Sequence, residues 1–369
     1  MRQHIASTHQ PLLAAPPMIA ATPEKLDASP TSVVGDLLGE ARAAVAPALR
    51  AAIDTLPDGI GQVAAYHFGW SEADGTARDS GGSWGKGLRS ALVLACAQSV
   101  GGRAEEVVPA AVAVELMHNA SLIHDDLIDG DALRRHRPAV WTAYSPTTAI
   151  LAGDALLVAA IRALLRSSPR HAAKAIDSLT NEGLQLIEGE LVDTSFETRR
   201  GVSVAECLKM TQDKTAALLK CACALGARLG GAAEDRIEAL GQFGRDIGMA
   251  FQAVDDLLGI WGMSEVTGKP ALADLRRRKQ SLPVVVALQA GTPESAELAA
   301  IYSGDQPLTE DQVQRAAELI EATGARRWVR DYANEQIASG LEHLDRAQPT
   351  AHGRDRLIAL AGLVIDRTA

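Results

Sequence analysis

Apolar side chains recur every three or four residues from about Val34 almost to the C-terminus, in blocks separated by Gly, Pro and Ser. That spacing turns one face of an α-helix toward a core. It predicts helices over about 34–56, 88–100, 105–129, 145–166, 170–195, 203–229, 233–262, 281–291, 309–323, 326–343 and 353–367. Breaks fall at Gly101-Gly102, Pro138, Ser167 to Pro169, Gly230-Gly231, Gly268 to Pro270 and Pro349. There a missing N–H or a freer backbone ends a helix. A Gly/Ser/Asp-rich loop runs from Ser71 to Gly85, and no alternating pattern marks a strand. Several blocks are apolar on most faces, as in the centre of a large bundle. The expected fold is all-α, one domain over residues 35–369. Residues 1–34 carry Pro, Ala, Ser and Thr without a period and read as a disordered extension.

Composition sharpens this picture. Hydrophobic residues are 47% of the 369 and aromatics only 4%, with Ala, Leu and Arg prominent, which favours helices. The formal charge of −10 argues against a general nucleic-acid binder. Cys96, Cys207, Cys221 and Cys223 form no C-x-x-C pair and sit in Ala/Leu-rich stretches, so they read as buried apolar residues of a reducing cytoplasm. No uninterrupted apolar run reaches the roughly 18 residues of a membrane span. Pro11, Pro16 and Pro17 make the start a poor signal peptide.

Two aspartate pairs lie inside apolar helical sequence, about 130 residues apart. The first is in Leu122-Ile123-His124-Asp125-Asp126-Leu127-Ile128-Asp129. At about 100° per residue, Asp125, Asp126 and Asp129 are expected on one face. The second is Asp255-Asp256 after Phe251-Gln252. Uncompensated carboxylates in apolar surroundings are expensive, and oxygen-only ligands suit a hard ion such as Mg²⁺. Arg134-Arg135-His136-Arg137 follows the first pair; Lys269 and Arg276-Arg277-Arg278-Lys279 follow the second. Acidic clusters followed by basic ones fit a metal-bridged polyphosphate.

These residues stand in an ordered set that resembles the trans-prenyl diphosphate synthase (polyprenyl synthetase) family, similar to its actinobacterial geranylgeranyl-type members. The set comprises Gly85-Lys86-Gly87-Leu88-Arg89, Glu115 to His118, Asp125 to Asp129, Arg134-Arg135, Gly153-Asp154, Lys214-Thr215, Phe251-Gln252, Asp255 to Gly262, Thr267 to Lys269 and Asp274 to Pro283. The resemblance implies a large helical bundle of the isoprenoid synthase type. It implies a Mg²⁺-dependent prenyltransferase joining isopentenyl diphosphate to an allylic diphosphate. Asp125, Asp126, Asp129, Asp255 and Asp256 would hold metal. Arg134, Lys214 and Lys269 would contact the allylic diphosphate, and Lys86, Arg89, His118 and Arg135 the isopentenyl diphosphate. Thr215 and Gln252 would frame the reacting chain. A homodimer is implied as well. Similar proteins with Pro/Ala-rich leaders have been linked to encapsulin shells, so His9 to Pro23 reads either as a loading leader or as a passive terminus.

Some positions depart from the family pattern. Gly259 stands where a third Asp is common, Gly87 where Arg is common, and Glu188-Gly189-Glu190 where Gly-Gln is common. Met117, Ala120 and Ser121 precede Asp125 on the wall where a growing chain would lie. Ala120 leaves room where related enzymes often place an aromatic floor, which points to geranylgeranyl diphosphate or a longer product. Two rival readings are kept: a class I terpene cyclase, disfavoured by the second basic set and the low aromatic content, and a non-catalytic regulatory or cargo homologue, which Gly259 slightly favours.

Overall fold

The computed structural model describes residues 30–78, 85–262, 271–304 and 306–365. Helix α1 (Pro30–Ile53) is followed by α2 (Asp58–His67), α3 (Leu88–Ser99) and α4 (Ala104–Ile128). A two-stranded hairpin, β1 (Leu133–Arg134) and β2 (Arg137–Pro138), leads through α5 (Val140–Ala143) to α6 (Pro146–Leu164) and α7 (Pro169–Phe196). Helix α8 (Val204–Thr211) joins α9 (Ala217–Leu229) through one π-helical turn, Gln212–Ala216. Then come α10 (Glu234–Trp261), α11 (Ala273–Arg276), α12 (Leu282–Leu288), α13 (Pro293–Tyr302), α14 (Glu310–Ala322), α15 (Ala325–Arg346) and α16 (Ala351–Ile365). The all-α expectation holds.

Helix α4 is buried on nearly every side and packs against α3, α6 and α9, while α10 packs between α9 and α15. Small side chains bring these helices close. At Gly226 on α9, a Cβ would lie 2.2 Å from the Val93 carbonyl oxygen of α3. Backbone cannot swing aside as a side chain can, so Gly226→Ala should destabilise the fold by about 1–3 kcal/mol. Thermal melts would read this; an unchanged Tm would mean that α3 and α9 separate freely. A second, smaller core gathers Ile260, Leu275, Val284, Leu298, Val313 and Ile320 around the C-terminal helices.

Several elements differ from the sequence reading. Helix α1 starts at Pro30, inside the stretch expected to be extension, while residues 1–29, including His9 to Pro23, lie outside the described residues. Helices α2, α5, α11 and α13 were not expected, nor was the hairpin. Two helices, Ala104–Ile128 and Pro146–Leu164, are long and apolar enough to cross a membrane, but 67% and 44% of their apolar windows are buried inside the bundle.

Candidate active site

The last turns of α4 open on a cavity of about 270 Å³ whose opposite wall is α10. Asp125 and Asp129 reach it from α4, and Glu190 reaches it from α7. Oxygens of these three carboxylates lie within 4.8 Å of one another. What brings α7 this close is Gly189, where a Cβ would sit 2.3 Å from the Lys214 amide nitrogen in the π-turn. The π-turn presents Lys214, whose ammonium lies 2.8 Å from Glu190, 2.7 Å from Asp193 and 3.2 Å from Asp125. Such turns are frequent at functional sites.

The electrostatics are strained toward a cation. Burial pushes Glu190 up to about 7 despite the pull of Lys214, and Asp125 and Asp193 push the same way. Asp129 is raised too, by burial and then by Asp125. Burial works against the Lys214 charge, yet Asp125, Asp193 and Glu190 outweigh it and hold it above the ordinary lysine range. One ammonium serves three carboxylates there, and Asp129 adds another. An oxygen-only set with excess negative charge fits a hard divalent cation.

Asp126 stands apart from this group. It is 1% exposed and takes a hydrogen bond of 2.8 Å from Arg134 Nε, with Arg134 Nη2 also against it. Its other oxygen, Oδ2, is buried without a partner. Burial raises its pKa against the opposing pull of Arg134. The one-face expectation thus holds for Asp125 and Asp129 but not for Asp126, which is about 100° further round the helix. Arg134 comes from the hairpin, whose two-residue turn, Arg135-His136, has φ of 53° and 61°. Both values lie in the left-handed region that such tight hairpin turns require. The strain is borne because Arg137 clamps the hairpin: it donates to the Tyr66 and Ser71 carbonyls at 2.9 and 2.8 Å.

The second wall carries Asp255, exposed, and Asp256, buried. Asp256 accepts from the Leu282 amide at 2.9 Å and from Gln252 Nε2 at 2.8 Å, and Gln252 in turn accepts from Thr215 at 2.9 Å. Burial pushes Asp256 up to about 6, although Lys279 and these bonds oppose it. Burial also opposes the charge of Lys279, but Asp256, Asp274 and Asp193 together raise its pKa. At Gly259 the missing carboxylate has a replacement in space: a Cβ there would lie 2.1 Å from Asp274 Oδ2.

At the other end of the cavity Arg89 Nη1 donates to His118 Nε2 at 3.1 Å. This bond leaves the proton of His118 on Nδ1. Burial, then Arg89 and Arg135, keep the His118 pKa well below the ordinary histidine value. Lys86 is exposed, just before α3. Arg135 opens instead on a neighbouring cavity of about 350 Å³ that also has Arg78, Arg137 and His67 on its walls. Lys269 lies outside the described residues.

Residues 77–320 match the family model described as polyprenyl synthetase. The chain belongs to the polyprenyl synthetase family. Among this family's curated members, the (2E,6E)-farnesyl diphosphate synthase of Mycobacterium tuberculosis is 42% identical over 90% of this chain and 93% of its own length. The geranylgeranyl diphosphate synthase of the same organism is 41% identical over 93% and 96%. A polyprenyl synthetase structure from Streptomyces coelicolor superposes with a TM-score of 0.86 at 46% identity, covering 90% of this chain and 99% of that one. The geranylgeranyl pyrophosphate synthase of Corynebacterium glutamicum, complexed with isoprenyl diphosphate and magnesium, gives 0.74 at 29%, covering 92% and 98%. The chain is a trans-prenyl diphosphate synthase; neither rival reading gains support from these relatives.

In this polyprenyl synthetase the three chain-length candidates differ in place. Ser121 lines the cavity, whereas Ala120 is fully buried in the packing of α4. Met117 lies one turn below Ser121 and meets α7 at Gly183, where a Cβ would be 3.1 Å from both its Sδ and Cε. Leu186, three residues on from Gly183, lines the cavity above. Glu190, Asp193 and Asp274 were not among the expected site residues, and Lys279 was expected only as part of the basic run after the second pair. Glu190 had a signal in the Glu-Gly-Glu departure, but the direction of all four depends on how helices pack.

Proposed function

We propose that this enzyme condenses isopentenyl diphosphate with an allylic diphosphate to give geranylgeranyl diphosphate or a longer trans product, with Mg²⁺ as its metal. The observation that carries this is a single cavity with Asp125, Asp129 and Glu190 on one wall, Asp255 and Asp256 on the other, and Lys214 and Lys279 between. Asp125, Asp129 and Asp255 would hold the metal, with Glu190 beside the first two. Mg²⁺ there would neutralise charge on the allylic diphosphate oxygens. Lys214, Lys279 and Arg134 meet the remaining charge as the allylic C–O bond breaks and its electron pair leaves with the diphosphate. Asp126 and Asp256 keep Arg134 and Gln252 in place. Arg89, His118 and Arg135 orient isopentenyl diphosphate so that its double bond attacks the allylic carbon. The condensed cation then loses a proton from the isopentenyl carbon to the departing diphosphate, so no protein base is required, and with the double bond as the attacking group no protein nucleophile is required either.

The test is incubation with Mg²⁺, labelled isopentenyl diphosphate and, separately, dimethylallyl, geranyl and farnesyl diphosphates, followed by product-length analysis. Metal-dependent products of geranylgeranyl length or more are expected. A product stopping at farnesyl would overturn the length, and no product with any primer would overturn the reaction.

The same proposal includes a cytoplasmic homodimer. An exposed apolar stripe supports it: Leu151, Val158 and Leu165 at the α6 side, and Leu184, Ile187 and Leu191 on α7. Sedimentation of the full chain would give twice the monomer mass. Loading into a shell through residues 9–23 is tested by co-purification with a shell protein before and after deletion of that segment.

A further inference from the structure

Arg135 is the one expected isopentenyl-diphosphate ligand set on a strained two-residue turn. A long guanidinium side chain on such a turn has many rotamers, and freezing them on binding weakens affinity. On one side of it stands Gly85, with φ of +105°, which has no side chain to crowd the guanidinium: a Cβ there would lie 3.5 Å from Arg135 Nη2. On the other is Asn119, fully buried, whose Oδ1 accepts from Arg135 Nη2 at 3.4 Å.

Asn119 is itself held. Its Nδ2 donates to the Glu115 carbonyl at 2.8 Å, one turn back on α4, so its Oδ1 faces outward. That oxygen lies 3.0 Å from Nε2 of His67, the last residue of α2 and 92% buried. An amide oxygen only accepts, so His67 carries its proton on Nε2. Burial, then Arg135, keeps the ring neutral, with a pKa pushed down to about 3. The ring therefore adds no positive charge beside the guanidinium that it supports. Nothing in the reaction above uses His67.

We infer that His67 and Asn119 form a positioning relay that holds Arg135 ready for the diphosphate of isopentenyl diphosphate. The inference rests on the substrate assignment of Arg135 in the proposed function. His67 touches no substrate in this scheme; it acts through Asn119.

The test uses full-length enzyme with Mg²⁺ and both diphosphates. Gln at position 67 can place an N–H where Nε2 sits, whereas Asn is too short to do so. His67→Asn should raise KM for isopentenyl diphosphate about tenfold, the loss of roughly one hydrogen bond to a charged group's support. Its kcat and its KM for the allylic substrate should stay within about twofold. His67→Gln should restore KM to within about twofold of the parent. Asn119→Ala removes the acceptor from the other side and should raise the same KM, so the relay is tested even where one His67 variant does not fold. An unchanged KM in the Asn variant overturns the relay. So does equal impairment of the Gln and Asn variants, or a parallel rise in both KM values. Arg135→Ala separates the two levels. If it leaves KM for isopentenyl diphosphate unchanged, the substrate assignment fails; if it raises KM and the His67 and Asn119 variants do not, only the relay fails.

Discussion

Asp125→Asn is expected to lower kcat/KM by about 10²–10³-fold and to weaken metal binding, while Asp126→Asn leaves metal binding nearly intact. The two residues are neighbours in sequence and alike in chemistry, so only geometry separates them. Asp125 belongs to the group of oxygens within 4.8 Å that includes Asp129 and Glu190. Asp126 is turned into the protein against Arg134. An asparagine at 126 keeps an acceptor for Arg134 but loses the charge that steadies it. Its effect should therefore fall on stability and on affinity for the allylic diphosphate. Calorimetric titration with Mg²⁺ or Mn²⁺ separates the cases without any turnover. Equal loss of metal affinity in both variants would mean that Asp126 rotates to the metal and that the arrangement described above is not the working one.

Met117→Ala should lengthen the product by at least one isoprene unit. Met117 lies one turn below Ser121 against Gly183, so shortening its side chain would leave room beneath the cavity for a longer chain. Gly183→Val should do the reverse. The added side chain would displace a flexible thioether, which can move toward the cavity more easily than the packed helices can move apart. The two changes share one contact and so must not add. Met117→Ala combined with Gly183→Val should look closer to the parent than either single variant does. Ala120→Phe should shorten the product as well, and because Ala120 is fully buried it should also cost about 1–3 kcal/mol of stability. Chain-length analysis of products settles the series. An unchanged distribution in Met117→Ala would remove Met117 as the floor, whatever the stability data show.

The long helices were legible because their apolar period runs for many turns and ends at Pro or Gly. Helix α2 was missed because Gly59 and Gly61 interrupt a ten-residue pattern, and α13 because it is equally short. A Thr-Pro start and a capping box at Thr292 could have revealed α13. Strands of two residues offer no alternation to read. In the site, Asp125 and Asp129 were legible because carboxylates are unusual in apolar sequence, whereas Lys214 was legible only through the family resemblance. Glu190 and Asp193 were not, because a charged residue on a long exposed helix has the same sequence signature whether it faces water or a neighbour. Gly189 decided the matter, through a backbone approach that no local pattern encodes. The role of Asp274 was hidden for a similar reason: Gly259 marks a gap in one helix, and the carboxylate that fills it belongs to another element.

The π-turn at Gln212–Ala216 divides one continuous helical rod into two phases. Accommodating one extra residue puts the segments on its two sides about 100° out of step with an uninterrupted α-helix. Lys214 and Thr215 take their bearing from the turn, and Gly226 takes its bearing from the contact with α3 below. Deleting a single residue between 211 and 217 would leave the composition almost unchanged, yet it would force a choice between those bearings. Either the ammonium leaves the carboxylates or the glycine leaves Val93. The turn works as a phase adjuster, letting the reactive end of the rod and its packed end be oriented independently.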